Sequence, residues 1–173
     1  MKFYSGFSLS NEAYLFSDYI KQSEYTICGF SYGSIKALNA VKKALKDKKR
    51  VDTLQLLSPA FFQTKDEKFK RLQLMAYRKN EVIYMKQFLS LCFAPWQKKI
   101  VEQTKTTADE LIELLEYEWL EDELQEVVDA GIKIEVYLGG EDKIIDVNAA
   151  REFFLKLSTV TYVKDANHFL QTR

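Results

Sequence analysis

Apolar positions along the chain change between two periods, and this change predicts strands and helices in turn. Five short apolar runs predict strands: MKFYSG, YTICGF, VDTLQLLSP, IKIEVYLGG and TVTYVKDA. Three segments carry apolar residues at helical spacing: SNEAYLFSDYIKQ, GSIKALNAVKKALKDKK and NAAREFFLKL. Ser10 is placed to cap the first of these helices. Strands that alternate with helices favour a mainly parallel sheet of about five strands with helices on both faces.

The long segment between the third and fourth strands has a helical pattern almost throughout. Apolar residues recur there on two stripes: Phe69, Leu72 and Met75, then Val82, Leu89 and Cys92. Thr107 and Glu110 have the spacing of a capping box, which predicts that a helix begins there. Because 173 residues suit one domain with a single core, we interpret residues 1–173 as one α/β domain with a helical cap inserted at about 61–130.

Composition and cysteine spacing narrow the class of protein. No segment approaches the roughly 20 apolar residues that span a membrane, and the N-terminal segment lacks the apolar run of a signal peptide. We therefore expect a cytoplasmic protein without a membrane partner. Cys28 and Cys92 are far apart and have no metal-ligand spacing, so we expect each to be a small buried apolar residue rather than a reactive thiol.

The charges are sorted along the chain, although they sum to zero. Residues 65–105 contain ten lysines and arginines against four acids, whereas residues 106–130 contain ten acids and no lysine or arginine. Each block is either a solvated helix face or a docking surface for a charged partner. Arg71 and Arg78 are seven residues apart, which places them on nearly the same face of one helix. They either pair with the acidic helix at 109–129 or bind a partner.

The sequence YTICGFSYGSIKAL places a serine between two glycines where a predicted strand gives way to a predicted helix. A nucleophilic serine at such a turn adopts a strained backbone, and the residues two before and two after it pass too close together for side chains. Gly29 and Gly33 meet this need. The alternative is an ordinary turn that contains glycine, but the position between strand and helix favours Ser31 as a nucleophile.

A serine hydroxyl needs a base that takes its proton and an acid that orients the base. His168 is the single histidine and follows the fifth predicted strand, so it would stand at the same sheet edge as Ser31. The loop after the fourth strand offers Asp142 as the acid. The alternatives for the acid are Glu141, Asp146 and Asp165, of which Asp146 is also a natural helix N-cap. The order Ser31, Asp142, His168 is that of α/β-hydrolases.

Four segments together resemble a reduced α/β-hydrolase: SGFSLSNEA, ICGFSYGSIKAL, LGGEDKIIDVNAA and DANHFL. More specifically, most of the chain resembles the short pimeloyl-acyl carrier protein methyl ester esterases of biotin synthesis found in Helicobacter and Campylobacter relatives. A fuller hydrolase has another strand and helix between the first two predicted strands and further strands before them. The resemblance implies hydrolysis of the methyl ester of pimeloyl-acyl carrier protein, with no metal or organic cofactor.

The resemblance also implies which groups would hold the oxyanion and the carrier protein. In the family, one oxyanion donor is the amide after the nucleophile, which is Tyr32 here. The other comes from a His-Gly-aromatic loop after the first retained strand. Here that loop reads Ser5-Gly6-Phe7, so the Phe7 amide is the candidate. Because carrier proteins are acidic, the basic residues expected to bind one are Arg71, Arg78 and Lys70.

Two other kinds of function fit the same residues. An acyl thioesterase or a general short-chain carboxylesterase would use the same triad of Ser31, Asp142 and His168. A catalytically silent binding protein with a hydrolase fold would keep the serine motif without a working geometry. None of the motifs indicates a nucleic-acid partner.

Overall fold

The computed structural model describes all 173 residues and contains one parallel sheet of five strands. The strands are β1 (Lys2–Tyr4), β2 (Thr26–Phe30), β3 (Thr53–Leu57), β4 (Lys133–Gly139) and β5 (Thr159–Val163). They lie side by side in chain order, and β2 pairs in register with β3 so that Gly29 is opposite Leu56. The predicted parallel sheet is confirmed, and the carboxyl ends of all five strands meet at one edge.

Six α-helices connect the strands. They are α1 (Tyr32–Lys46), α2 (Glu67–Lys79), α3 (Glu81–Phe93), α4 (Ala108–Glu116), α5 (Glu121–Asp129) and α6 (Val147–Phe154). Helix α4 begins at the predicted capping box, in which Thr107 and Glu110 exchange hydrogen bonds. Asp146 caps α6 by accepting a hydrogen bond from the Ala149 amide. No helix is both long enough and apolar enough to cross a membrane.

The segment between β1 and β2 differs from its prediction. It contains only a short 3-10 helix, Glu12–Phe16, and its N-cap is Asn11, with no side-chain capping bond. Ser10 instead donates its amide to the Glu102 carbonyl, because residues 8–10 run beside residues 102–104. The predicted helix capped by Ser10 is therefore wrong, since the backbone here is held by a distant segment rather than by its own turns.

The two faces of the sheet are packed differently. On the face that we call the first face, Leu54, Leu56 and Val136 pack with buried residues of α1, α5 and α6 in a cluster of 27 buried residues. On the opposite side, the second face, Phe30 and Leu57 pack with the 3-10 helix, the end of α3 and Phe169 in a cluster of 12 buried residues. Alternate residues of each strand point to opposite faces, which separates the two clusters.

The helices between β3 and β4 bury less than the sequence pattern predicts. Helix α2 fully buries only Tyr77. Leu72 and Met75 are 50% and 59% exposed, whereas Phe69 of the same predicted stripe is half-buried and stacks on Phe62. In the second stripe Leu89 and Cys92 are buried, but Val82 is exposed. The division into a core and a cap at about 61–130 stays a prediction.

Candidate active site

Ser31 lies at a sharp turn between β2 and α1. Its backbone has φ 50° and ψ −117°, a conformation that costs a non-glycine residue on the order of 1–3 kcal/mol. The Ser31 amide donates to the Leu57 carbonyl at 2.9 Å, and Ser34 Oγ donates to the Gly29 carbonyl at 2.9 Å. These hydrogen bonds hold the strained turn in place at the carboxyl edge of the sheet.

The two glycines beside Ser31 are required by close approach of the backbone. A Cβ on Gly29 would lie 2.3 Å from the Gly33 carbonyl oxygen, as expected for a turn that folds back on itself. A Cβ on Gly33 would lie 2.0 Å from the Tyr4 oxygen and 2.5 Å from the Ser5 oxygen. Gly33 therefore does more than permit the turn, because it lets the loop after β1 pack directly on it.

The structure brings the three residues predicted as a triad into one hydrogen-bonded chain. His168 Nε2 lies 3.0 Å from Ser31 Oγ, and His168 Nδ1 lies 2.6 Å from Asp142 Oδ2. The other Asp142 oxygen accepts from the amides of Ile144, at 2.7 Å, and Ile145, at 3.3 Å. All three side chains are buried, with Ser31 only 3% exposed. A proton can pass from the serine to the imidazole in this geometry.

The other candidate acids do not bond to His168. Asp146 is occupied as the cap of α6, and Glu141 forms an exposed ion pair with Lys143 at 3.1 Å. Asp165 is exposed, and its carbonyl accepts a hydrogen bond from the Trp96 indole. Among these carboxylates, Asp142 alone has the geometry of a base-orienting acid.

The two predicted oxyanion donors belong to the loop after β1 and to the first residue of α1. Neither the Phe7 amide nor the Tyr32 amide donates a hydrogen bond to another protein atom. The Phe7 and Tyr32 rings meet edge to face at a centroid distance of 6.2 Å. The Tyr32 hydroxyl donates to Glu113 at 2.6 Å, and burial together with this carboxylate raises the pKa of Tyr32 above its usual range. Tyr32 thus joins the nucleophile turn to α4, and its amide is free to bind a substrate oxygen.

The loop that carries His168 is held by Asn167, a residue that the sequence analysis did not identify as functional. Asn167 is fully buried, and its side-chain nitrogen Nδ2 donates to the carbonyl of Phe93, the last residue of α3, at 2.8 Å. Its side-chain oxygen accepts from the amides of Phe169 and Gln171, both at 3.0 Å. The adjacent Phe169 ring stacks on Phe93 at 4.3 Å. Helix α3 therefore sets the position of the loop that carries His168.

A mainly apolar cavity of about 300 Å³ lies between α2, α3, α4 and the loop that follows Asp142. Its wall includes Phe69, Phe88, Leu114 and Ile144. The Phe88 ring also meets the Phe7 ring edge to face at 6.3 Å, so the cavity wall adjoins the loop after β1. Phe69 lines this cavity, whereas Leu72 and Met75 do not.

The three basic residues predicted to bind a carrier protein differ in exposure and pairing. Arg71 and Arg78 are exposed, and neither forms an ion pair, so the expected alternative in which they pair with the acidic helix is not observed. Lys70 is mostly buried and pairs with Glu67 at 3.5 Å.

Both cysteines are buried, and burial raises the pKa of Cys28 to about 12, which keeps this thiol protonated.

The comparison with solved structures gives several similar chains, whereas no family model and no curated protein sequence matches. An esterase from Exiguobacterium antarcticum has 16% identity and a TM-score of 0.61, with 83% of this chain and 59% of that chain covered. BioG from Haemophilus influenzae has 10% identity and a TM-score of 0.57, with 97% of this chain and 87% of that chain covered.

A third similar structure is the naproxen esterase of Bacillus subtilis, with 21% identity, a TM-score of 0.51, and coverage of 85% of this chain and 54% of that chain. The chain therefore spans little more than half the length of the two esterases and most of the length of BioG. Similarity at these identities is evidence about the fold. The chain has a reduced α/β-hydrolase fold.

Proposed function

We propose that the chain is a serine carboxylesterase that hydrolyses the methyl ester of pimeloyl-acyl carrier protein to the free acid and methanol. The observation that carries the esterase activity is the chain of hydrogen bonds from Ser31 through His168 to Asp142. The esterases among the similar solved structures support this class of reaction. The methyl ester substrate rests on the resemblance of the segments around Ser5, Ser31, Asp142 and His168 to the short esterases of biotin synthesis.

The reaction follows from the geometry of these side chains. Ser31 Oγ attacks the ester carbonyl while His168 Nε2 takes its proton, and Asp142 holds the imidazole and stabilises its positive charge. The oxyanion would bind the amides of Phe7 and Tyr32, each of which contributes about 3 kcal/mol in comparable sites. His168 then protonates the leaving methoxide. A water molecule attacks the acyl-enzyme by the same steps and releases the acid.

The apolar cavity, whose wall adjoins the loop after β1 through Phe88, supports an acyl substrate. Its lining by Phe88, Leu114 and Ile144 suits a chain of methylene groups, and its volume of about 300 Å³ leaves room for one. Lys65 and Lys143 also line it. The acyl chain of the substrate would lie with its ester at Ser31 and its methylene groups along the wall of this cavity.

The carrier protein would dock on the outer side of α2. Arg71 and Arg78 are unpaired there, beside the exposed Leu72 and Met75. Unpaired cations next to apolar side chains suit an acidic partner that also offers apolar contacts. Lys70 is less suitable because it is mostly buried and paired with Glu67.

The direct experiment is incubation with pimeloyl-acyl carrier protein methyl ester and measurement of methanol release. We expect turnover by the wild type and a loss of at least about 10⁴-fold in Ser31→Ala. p-Nitrophenyl butyrate serves as a small ester in parallel. Cleavage of the small ester without cleavage of the carrier-protein substrate would favour a general carboxylesterase. A faster reaction with an acyl thioester in direct competition would favour a thioesterase.

A double variant tests the docking surface separately from the chemistry. Replacing Arg71 and Arg78 with glutamate should raise KM for the carrier-protein substrate, most strongly at low salt, and leave p-nitrophenyl butyrate unaffected. Lys46→Glu with Lys48→Glu is the matched control, because these exposed lysines lie at the end of α1 that is remote from Ser31. Equal loss on both substrates would indicate a destabilised α2 instead.

A binding protein without catalysis is the second candidate, since Ser31 is almost completely buried. A fluorophosphonate probe distinguishes the two. Labelling of the wild type, and none of Ser31→Ala, supports the esterase, whereas an unlabelled wild type supports the binding protein.

A further inference from the structure

A buried acid lies behind the loop that follows β1. Glu12 begins the 3-10 helix and is 0% exposed, with Leu15 and Phe16 of the same helix buried beside it. Its Oε1 atom accepts a hydrogen bond from the Gly6 amide at 2.7 Å. Its Oε2 atom is buried and has no hydrogen-bond partner.

This placement works against stability. Burial raises the pKa of Glu12 above its ordinary value, because loss of solvent outweighs the hydrogen bond from the Gly6 amide. A buried carboxylate with an unpaired oxygen is costly, and an apolar side chain of similar volume is often as stable or more stable. A residue that opposes stability in this way is commonly retained for a function at a nearby site.

The nearby site is the oxyanion loop, residues 5–9. Its peptide units lie against the nucleophile turn, where the Tyr4 and Ser5 oxygens approach Gly33. The far end of the loop is held by Thr104, whose amide donates to the Ser8 carbonyl at 2.9 Å and whose carbonyl accepts from Ser8 Oγ at 2.7 Å. At the near end, the loop is held by the hydrogen bond that the Gly6 amide donates to the Glu12 side chain.

Gly6 is the point at which this loop needs an anchor. A Cβ at Gly6 would lie 2.8 Å from the Phe30 ring, so a larger residue does not fit. Glycine is the residue with the widest choice of backbone angles, and the peptide units on either side of it can rotate most freely. One of these units carries the Gly6 amide that Glu12 binds, and the next carries the Phe7 amide that has no protein partner.

We propose that Glu12 is a positioning residue that holds the oxyanion loop through the Gly6 amide and so keeps the Phe7 amide directed at the substrate oxygen. The inference rests on the proposed esterase function. Glu12 forms no hydrogen bond with Ser31, so its effect would pass through the loop to the transition state, where the oxyanion forms, rather than to binding of the ground-state ester.

Two substitutions separate this role from a structural one. Glu12→Gln keeps a side-chain oxygen that can accept from the Gly6 amide, so kcat for p-nitrophenyl butyrate should stay within about threefold of the wild type. Glu12→Leu removes the acceptor but suits the apolar surroundings, so kcat should fall about 10- to 100-fold with KM within about twofold. The rate of fluorophosphonate labelling of Ser31 should fall in parallel. Glu12→Leu leaves the Gly6 amide unpaired but also removes the buried carboxylate, so its melting temperature should stay close to that of the wild type.

Thr26→Val is the matched control, because Thr26 Oγ1 is another buried polar atom without a partner and lies in β2 away from the loop. Its kcat should be unchanged. Should Glu12→Leu fold poorly, Glu12→Met offers an unbranched apolar side chain of similar length for the same measurements.

The outcomes discriminate clearly. A folded Glu12→Leu or Glu12→Met with kcat within twofold of the wild type overturns the inference, and so does a Glu12→Gln that loses as much activity as Glu12→Leu. A wild type that fails to react with the fluorophosphonate overturns the esterase function and the inference together. A wild type that is labelled but does not cleave pimeloyl-acyl carrier protein methyl ester overturns the substrate alone and leaves the Glu12 comparison valid.

Discussion

The two faces of the sheet serve different purposes. On the first face, α1, α5 and α6 cover the sheet with apolar residues such as Leu38, Val127 and Phe154, all fully buried. On the second face the cover is a short 3-10 helix, the end of α3 and the residues that follow His168. The smaller and less regular second cluster is the one that contacts the histidine loop and the segment behind the oxyanion loop.

Buried polar side chains are concentrated on the second face. Gln55 is fully buried there, and its amide nitrogen donates to the Tyr19 carbonyl at 3.0 Å and to Glu135 at 3.1 Å. Its oxygen accepts from the Lys21 amide at 2.8 Å. Glu12 and Asn167 lie on the same side. Because polar groups fix backbone positions that apolar packing leaves free, we infer that the second face orients the histidine loop and the loop after β1, whereas the first face, whose cluster includes Phe7 and Tyr32, contributes mainly to stability.

The largest expected effect is at the sheet edge where the two faces meet. Asp142 orients His168, whose loop packs on the second face, whereas Asp146 caps α6, which packs on the first. Asp142→Asn should lower kcat about 10⁴-fold with little change in melting temperature. Asp146→Asn should leave kcat unchanged and cost at most about 1 kcal/mol of stability. Ester hydrolysis and thermal unfolding of both variants measure this, and the reverse ranking would contradict the assignment of the acid.

A core substitution on the first face should show the opposite behaviour. Leu38→Ala in α1 removes a fully buried side chain and should destabilise the protein by about 2–5 kcal/mol. Because Leu38 takes part in none of the hydrogen bonds at the site, the folded fraction of Leu38→Ala should keep its kcat within about twofold of the wild type. Denaturant unfolding gives the stability, and titration with a fluorophosphonate gives the concentration of folded enzyme. A tenfold loss of kcat per labelled site would contradict the division between the faces.

The same division explains what the sequence could predict. The five strands, the capping box at Thr107 and the three residues Ser31, Asp142 and His168 follow from local patterns, because each strand end projects its loop at one edge of a parallel sheet. The 3-10 helix did not follow, since the residues just before it, 9–11, are held by residues 102 and 103 rather than by a helical turn of their own. The role of Glu12 could not be predicted either, because nothing in the local sequence distinguishes a buried glutamate that binds a loop amide from a solvated one.

A polar substitution on the second face should affect both properties, each less than the variants above. Asn167→Ala leaves the Phe93 carbonyl and the amides of Phe169 and Gln171 without their partner. We expect a loss of about 1–3 kcal/mol in stability and about a tenfold lower kcat, because His168 is the next residue. Asn167→Asp keeps the acceptor for the two amides and should be intermediate in both measurements. Full activity of Asn167→Ala would show that α3 does not position the histidine.

The smallest expected effect is the pH dependence of stability at Glu12. Burial raises its pKa in the folded protein, so the folded state holds the proton more tightly than the unfolded state does. The stability linked to this proton is fully present below the unfolded pKa and is lost as pH rises through the folded pKa, at about 1.4 kcal/mol for each pKa unit of elevation.

Glutamine does not titrate, so Glu12→Gln should gain stability relative to the wild type between pH 4 and pH 8. Thermal unfolding of both proteins across this range measures the difference, and Thr26→Val, which also alters a buried group on the second face, should show none. A stability difference between Glu12→Gln and the wild type that is independent of pH would mean that the pKa of Glu12 is the same in the folded and unfolded states. The second face would then hold a charged carboxylate at no greater cost than the neutral side chain of Gln55.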